Sequence, residues 1–345
     1  MQNETAGYPG LLNFSAPRHR TIFIYDFTLP EHTKEKIVAG LAETATQVCF
    51  LHPRDVTSDT HVDTLSRLGI DASRDYLSIQ LLTSDPQVYK QAMEFVATLR
   101  HWDFARIEFP MTGRPLHADQ ANHLINVVSD ADYGEQDKLC ELFYAALDEN
   151  PEYTVNIDTA AGTMVINDTQ AWFQLAGRLQ QGEKRILPGG EVAYTGNRVN
   201  GVFTIDGGML AIPQWPEGEE HAKKIQVLSS VLEADPLNVE IEEGAIKHFW
   251  SGKEDSATFF ETLFPDDHYH VLTEVGISFN RACKAFIHDW PAASNEGRPG
   301  VHIGIGGDPD PKDRTHSFRD LVHVDLMSAN CSVTVNTQNF LKTSS

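Results

Sequence analysis

His323 and Asp325 stand two residues apart in the apolar run Leu321-Val322-His323-Val324-Asp325-Leu326-Met327. On an extended strand that spacing turns an imidazole and a carboxylate to one face, while Val322, Val324 and Leu326 pack behind them. Such a pair is suited to ligating a divalent cation. Three other segments place a ligand-type side chain beside glycine or inside an apolar run: Glu191 in Ile186-Leu187-Pro188-Gly189-Gly190-Glu191-Val192, Glu274 in Leu272-Thr273-Glu274-Val275-Gly276-Ile277, and His302 in Val301-His302-Ile303-Gly304-Ile305-Gly306-Gly307. A carboxylate in an apolar strand is costly to bury unpaired, so Glu274 calls for a cation or a hydrogen-bond network. Each residue alone also has an ordinary reading, as an acidic turn residue, a core histidine or an edge-strand pair. Together they offer an oxygen- and nitrogen-rich set suited to one or two borderline divalent ions such as Zn, Mn, Co or Fe.

Flanking residues add candidates. The cluster Asp266-Asp267-His268-Tyr269-His270 precedes the Glu274 strand, and His270 joins Glu274 as a candidate catalytic residue or extra ligand. His316 lies in a loop ahead of the His323 strand. Arg281 and Lys284, just after the Glu274 strand, are candidates to hold a substrate carboxylate, with a surface role as the alternative. His101, Trp102 and Trp172 read equally well as core or interface residues.

The elements that must position these side chains change character along the chain. Apolar strands at Thr21–Tyr25, Gln47–Leu51, Tyr76–Leu82 and Phe104–Phe109 alternate with helical patterns at Pro30–Thr44, His61–Leu68, Pro86–Leu99, His117–Val128 and Gln136–Leu147. That alternation predicts an α/β N-terminal doubly wound domain with a mainly parallel sheet. It carries neither GxGxxG nor GxxxxGK[ST]. From about residue 153 short β-like runs with glycine punctuation take over, at 153–157, 162–167, 200–208, 237–241 and 333–336, with a helical connection expected at Asp168–Gln180. The expected organisation is an α/β domain over residues 1–185 and a β-rich α+β C-terminal metal-site domain over 186–345, which holds every candidate ligand.

Composition narrows the partners. The 345 residues suit two domains. With 49 acidic against 27 basic residues, a formal charge of −22 disfavours nucleic acid and anionic membranes, which are bound by clustered Lys and Arg. The cysteines Cys49, Cys140, Cys283 and Cys331 form no CxxC pair, so a reducing compartment is expected. With no apolar h-region near Met1 and no long uncharged apolar run, the expectation is a cytoplasmic protein.

LPGGEV, TEVGISFN, VHIGIG and VHVDLM, in that order, resemble the signature of the M29 aminopeptidase family, the aminopeptidase T group, which is related to 2,5-dihydroxypyridine 5,6-dioxygenase. The resemblance runs from Gly162 to Asp325 and includes GTMVIND, NGVFTIDGG and VEIEEGAIKHF; before residue 160 only a generic α/β pattern matches. It implies that Glu191, Glu274, His302, His323 and Asp325 form a co-catalytic two-metal site in which activated water attacks a polarised carbonyl. Glu274 would bridge the ions or accept the proton of that water. It also implies a homodimer and a small-molecule or short-peptide substrate. Two departures stand out. The tyrosine that follows the HIGIG-type histidine in the peptidases is absent from Gly306-Gly307-Asp308-Pro309-Asp310-Pro311, with Tyr194 as a possible replacement. In the dioxygenase branch a histidine stands where this chain has Glu274, giving two histidines and one carboxylate around one iron; His270 could supply that imidazole. The leading expectation is a metal-dependent hydrolase cleaving an amide or peptide bond in a small molecule. The alternatives are a non-heme Fe(II) ring-cleaving dioxygenase and a binding protein whose ions are structural.

Overall fold

Five short, apolar strands build the first sheet in the computed structural model: β1 (His19–Tyr25), β2 (Ala45–Leu51), β3 (Leu77–Leu82), β4 (Trp102–Ile107) and β8 (Lys184–Leu187). They pair in parallel in the order β2-β1-β3-β4-β8, and the direction of winding reverses between β1 and β3 as in doubly wound sheets. Ile22, Ile24, Leu77, Ile79 and Leu81 are fully buried and share a core with Leu65 of α1 (His61–Arg67) and Ala92, Phe95 and Val96 of α2 (Pro86–Val96). The structure describes residues 19–25, 45–52, 61–71, 77–82, 86–107, 126–128, 130–148, 154–168, 171–179, 182–207, 209–212, 234–253, 255–264, 270–284, 296–306 and 323–343, with isolated positions between them. The helices expected at Pro30–Thr44 and His117–Val128 lie largely outside these residues. Among the described residues no helix is long and apolar enough to cross a membrane.

The remainder is antiparallel. A seven-stranded sheet has the order β13-β12-β10-β6-β5-β17-β18. Its strands are β5 (Val155–Thr159), β6 (Gly162–Ile166), β10 (Val199–Ile205), β12 (Leu237–Glu242), β13 (Ala245–Ser251), β17 (Ser332–Val335) and β18 (Gln338–Lys342). A six-stranded sheet has the order β11-β16-β15-β14-β9-β7. It consists of β7 (Trp172–Leu175), β9 (Glu191–Tyr194), β11 (Met209–Ile212), β14 (Leu272–Ser278), β15 (Gly300–Ile305) and β16 (His323–Ser328). Alternate residues of both sheets fill one core: Val155, Ile157, Met164, Phe203 and Val239 from the first, Val192, Val275, Ile277, Ile303, Ile305, Val324 and Leu326 from the second. Phe143 and Leu147 of α3 (Tyr133–Asp148) and Phe260 of α4 (Asp255–Leu263) join it.

The chain divides into two compact units, Met1–Gln136 with Gly177–Gly189, and Asp137–Ala176 with Gly190–Ser345. It passes between them more than once, and the boundary expected near residue 185 falls within β8, the strand that completes the parallel sheet. The helix expected over Asp168–Gln180 is not formed. Ala171 adopts a left-handed φ of 64°, and Trp172–Leu175 pair with β9 instead. Pairing with a buried strand overrides the weak local preference of so short a segment.

Asp206, at the end of β10, secures the turn that follows β16. Its Oδ1 accepts hydrogen bonds from Ala329 N at 2.7 Å and Asn330 N at 3.4 Å, and its Oδ2 accepts one from Asn330 Nδ2 at 2.8 Å. Asp206→Ala strands these donors and should lower stability by about 1–3 kcal/mol; chemical denaturation checks it, and an unchanged midpoint would count against this role.

Candidate metal centre

Antiparallel strands place directly opposed residues on the same face of a sheet. Across the six-stranded sheet, Glu274 opposes Gly304, which opposes Asp325; Gly276 opposes His302, which opposes Met327; and Ser278 opposes Glu191. Because His323 lies two residues from Asp325, all five expected ligands share one face. The intervening Val192, Val275, Ile277, Ile303, Val324 and Leu326 form the other face, packed on the core. Glu191, His302 and Asp325 are nonetheless buried.

Two glycines create the room. A Cβ at Gly276 would overlap the His302 ring, so that ring lies directly over the backbone of β14. A Cβ at Gly304 would stand 2.8 Å from His323 Cε1 and 3.1 Å from Glu274 Cβ. Each imidazole thus leans over the glycine of the neighbouring strand. Glu191 leaves a tight turn in which Gly190, at φ 111°, abuts Asn280 closely enough that any Cβ would collide with it.

The resulting contacts form a continuous polar cluster. His302 Nε2 is 3.7 Å from Glu191 Oε2, and Ser278 Oγ donates to the same carboxylate oxygen at 3.3 Å. His323 Nε2 is 4.0 Å from Glu274 Oε2 and 2.9 Å from Asp325 Oδ1; the latter contact has ion-pair distance without hydrogen-bond geometry. Glu296, on the segment leading into β15, approaches from the side. Ligand atoms of Glu191, Glu296 and His302 all lie within 4.8 Å of one another.

Crowding so many carboxylates shifts their protonation. Burial, reinforced by Glu296, Glu274 and Asp325, pushes Glu191 well above the usual carboxylate range. Burial also raises Glu274; Asp325 adds to this, and the His302 and His323 imidazoles only partly offset it. For Asp325, burial acts upward but the adjacent His323 and then His302 outweigh it, leaving its pKa low. Burial disfavours the His323 imidazolium, yet Asp325, Glu274 and Glu296 together lift its pKa to about 9.

Both ring nitrogens of His302 and both carboxylate oxygens of Asp325 are buried without a hydrogen-bond partner. Orphaned buried polar atoms are costly, and a divalent cation ligated by imidazole and carboxylate would satisfy them. The donor set of Glu191, Glu274, Glu296, His302, His323 and Asp325 therefore fits such ions.

Other candidates lie elsewhere. His270 immediately precedes β14; its ring centroid is 5.9 Å from that of Phe249 in β13, and among the described residues it makes no contact with the cluster. Tyr194 is three residues from Glu191 and so faces the core, where its hydroxyl donates to Asp168 Oδ2 at 3.0 Å and accepts from Arg198 N at 3.2 Å. It does not stand in for the absent tyrosine. Arg281 and Lys284 are exposed. Trp172 packs on Phe143 at 4.9 Å between ring centroids, and Trp102 lies under Lys184 Nζ at 5.8 Å. Residues 266–269, His316 and the segment 307–311 lie outside the described residues. Glu296 escaped sequence reading because it precedes β15 in a segment without periodicity; its one signal was an acidic residue shortly ahead of the His302 strand.

The crocagin biosynthetic protein CgnE/B family matches residues 183–332, the stretch that holds all six ligand-type residues. No curated protein matches the chain. The 2,5-dihydroxypyridine dioxygenase of Pseudomonas putida KT2440 superposes with a TM-score of 0.52 at 12% identity, covering 94% of this chain and 90% of that one. AmpT from Thermus thermophilus gives 0.49 at 13% identity, covering 95% of this chain and 94% of that one. The dioxygenase match shows a shared mixed α/β fold with several sheets.

Gly276→Ala should displace the His302 ring, costing about 1–3 kcal/mol of stability from overpacking and weakening divalent-metal binding. Calorimetric titration and thermal melting together check this, and unaltered metal affinity would contradict the packing. In the metal-free protein His323, lifted to about 9, retains a proton that a cation must displace. Apparent affinity should therefore climb as pH rises from neutrality towards about 9, with proton release measurable in buffers of different ionisation enthalpy; an affinity flat over that window would contradict the assignment.

Proposed function

We propose that this protein is a metal-dependent hydrolase on the M29 plan, cleaving an amide or peptide-like bond in a small molecule. The observation that carries this reading is the composition of the cluster, three carboxylates and two imidazoles on one sheet face with Glu296 beside them, and each imidazole set against a carboxylate: His302 with Glu191 at 3.7 Å and His323 with Asp325 at 2.9 Å. A single-iron oxygenase site asks for two imidazoles and one carboxylate around one ion. Four negative charges instead balance two divalent ions.

Such ions, when bound, supply an acidified water and a polarised substrate carbonyl. The chain's residues do the rest. Glu191, Glu296 and His302 form a compact ligand group, and Ser278 fixes one oxygen of Glu191. Glu274 is partly accessible and has a raised pKa, which suits its Oε2 to accept a proton from water and return it to the leaving nitrogen. Gly276 and Gly304 keep the two imidazoles in place. The match of a biosynthetic family across the ligand-bearing stretch supports a specialised amidohydrolase over a general peptidase. A homodimer, a cytoplasmic location and a small-molecule or short-peptide substrate belong to the same proposal.

Metal analysis of protein purified without chelator, followed by assay against a panel of amides and short peptides with Zn, Mn, Co or Fe(II), tests this reading. Two redox-inert ions per chain with amide cleavage are expected. One iron with oxygen uptake would replace it with the ring-cleaving dioxygenase, and tightly held ions with no turnover would point to a structural role. His323→Ala should abolish metal-dependent cleavage while the parallel-sheet unit stays folded by circular dichroism; retained activity would remove His323 from the site.

A further inference from the structure

The cluster has two unequal ends. At one, the Glu191 and His302 side chains are only 4% and 1% exposed, and with Glu296 they place one ligand atom each within 4.8 Å of one another. Both ring nitrogens of His302 are buried without a hydrogen-bond partner, so its imidazole is available to a cation. Ser278 Oγ holds the Glu191 carboxylate from behind. At the other end, His323 and Glu274 are 25% and 17% exposed. There His323 Nε2 lies 2.9 Å from Asp325 Oδ1 and 4.0 Å from Glu274 Oε2.

We propose that the two ends load in order: the Glu191, Glu296 and His302 end takes a first, firmly held divalent ion, and the Glu274, His323 and Asp325 end takes a second, exchangeable one on the side open to substrate. This rests on the metal-enzyme reading above and adds to it a division of labour among this chain's residues. Preorganisation favours the buried end, since its ligands are already gathered and shielded from water. Readier access of water to His323 and Glu274 weakens the accessible end. The more accessible ion is then the one that can exchange and meet a carbonyl oxygen, while the buried one fixes the sheet face on which that chemistry takes place.

Chelator-stripped, full-length protein titrated with Mn(II) or Co(II) in a calorimeter tests the order. Two steps are expected, the first of one ion per chain and tighter by about tenfold or more, with one ion surviving extended dialysis. His323→Ala should eliminate the second step and preserve the first. Glu296→Ala and Ser278→Ala should each weaken the first, and melting curves of every variant confirm that it is folded. Uptake of both ions in a single step, or loss of the tight step in His323→Ala, would overturn the order while leaving the hydrolase proposal standing. Wild-type protein that takes up no ion would overturn both.

Discussion

An imidazole can lie flat on a β-sheet only where the neighbouring strand offers no side chain beneath it. Gly276 under His302 and Gly304 under His323 supply those two gaps, and the rest of the polar face depends on them. The pattern repeats across strands. In β14 Glu274 is followed two residues on by Gly276, and in β15 His302 is followed two residues on by Gly304, so each strand contributes a ligand and the clearance for the next strand's ring. Neither glycine has an unusual φ; the requirement is space, not backbone freedom.

The apolar residues between the ligands fix the register. Val275, Ile277, Ile303, Val324 and Leu326 are buried against the opposite sheet, and a one-residue slip of any of these strands would drive charged groups into that core and valines onto the polar face. Hydrophobic burial therefore sustains an arrangement that its own electrostatics oppose. Left alone, the cluster answers the crowding by holding protons more tightly: Glu191 and Glu274 are raised, and His323, lifted to about 9, is an imidazolium at neutral pH beside Asp325. Protons and cations thus compete for one set of atoms, and the core, not the cluster, determines that the set exists.

The period-two alternation made His323 and Asp325 legible as a pair, because a strand's facing pattern survives whatever the strands pair with; Glu191, Glu274 and His302 stood out only as ligand-type residues beside glycine or inside apolar runs, and the family resemblance joined the five. The same rule excludes Tyr194, an odd number of positions from Glu191 on one strand and hence on the core side. His270 defeats such counting because it lies before β14, whose pairing with β15 shifts register between Leu272 and Glu274. Glu296 was not legible because connecting segments have no period. Nor was β7, where a left-handed Ala171 and four residues against β9 replaced an expected helix. In the parallel sheet, β1 and β3 declared themselves by apolar runs such as residues 22–24 and by buried residues such as Leu77, Ile79 and Leu81; β8, with Lys184 and Arg185 in its four residues, did not.

A fold shared at 12% identity with a dioxygenase leaves the reaction to be settled by single positions. Glu274 is the decisive one. It lies opposite Gly304, over which the His323 ring leans from the far side, and both imidazoles take back part of its pKa elevation. A neutral imidazole in its place would leave three carboxylates, lower the negative charge available to balance cations, and bring a third nitrogen donor to the accessible end. On the proposed reading, that change would move the site from one balanced for two divalent ions towards one suited to a single borderline ion with open positions. The carboxylate actually present adds charge where solvent reaches the cluster, and it places a proton acceptor there as well. The proposed hydrolysis would use both.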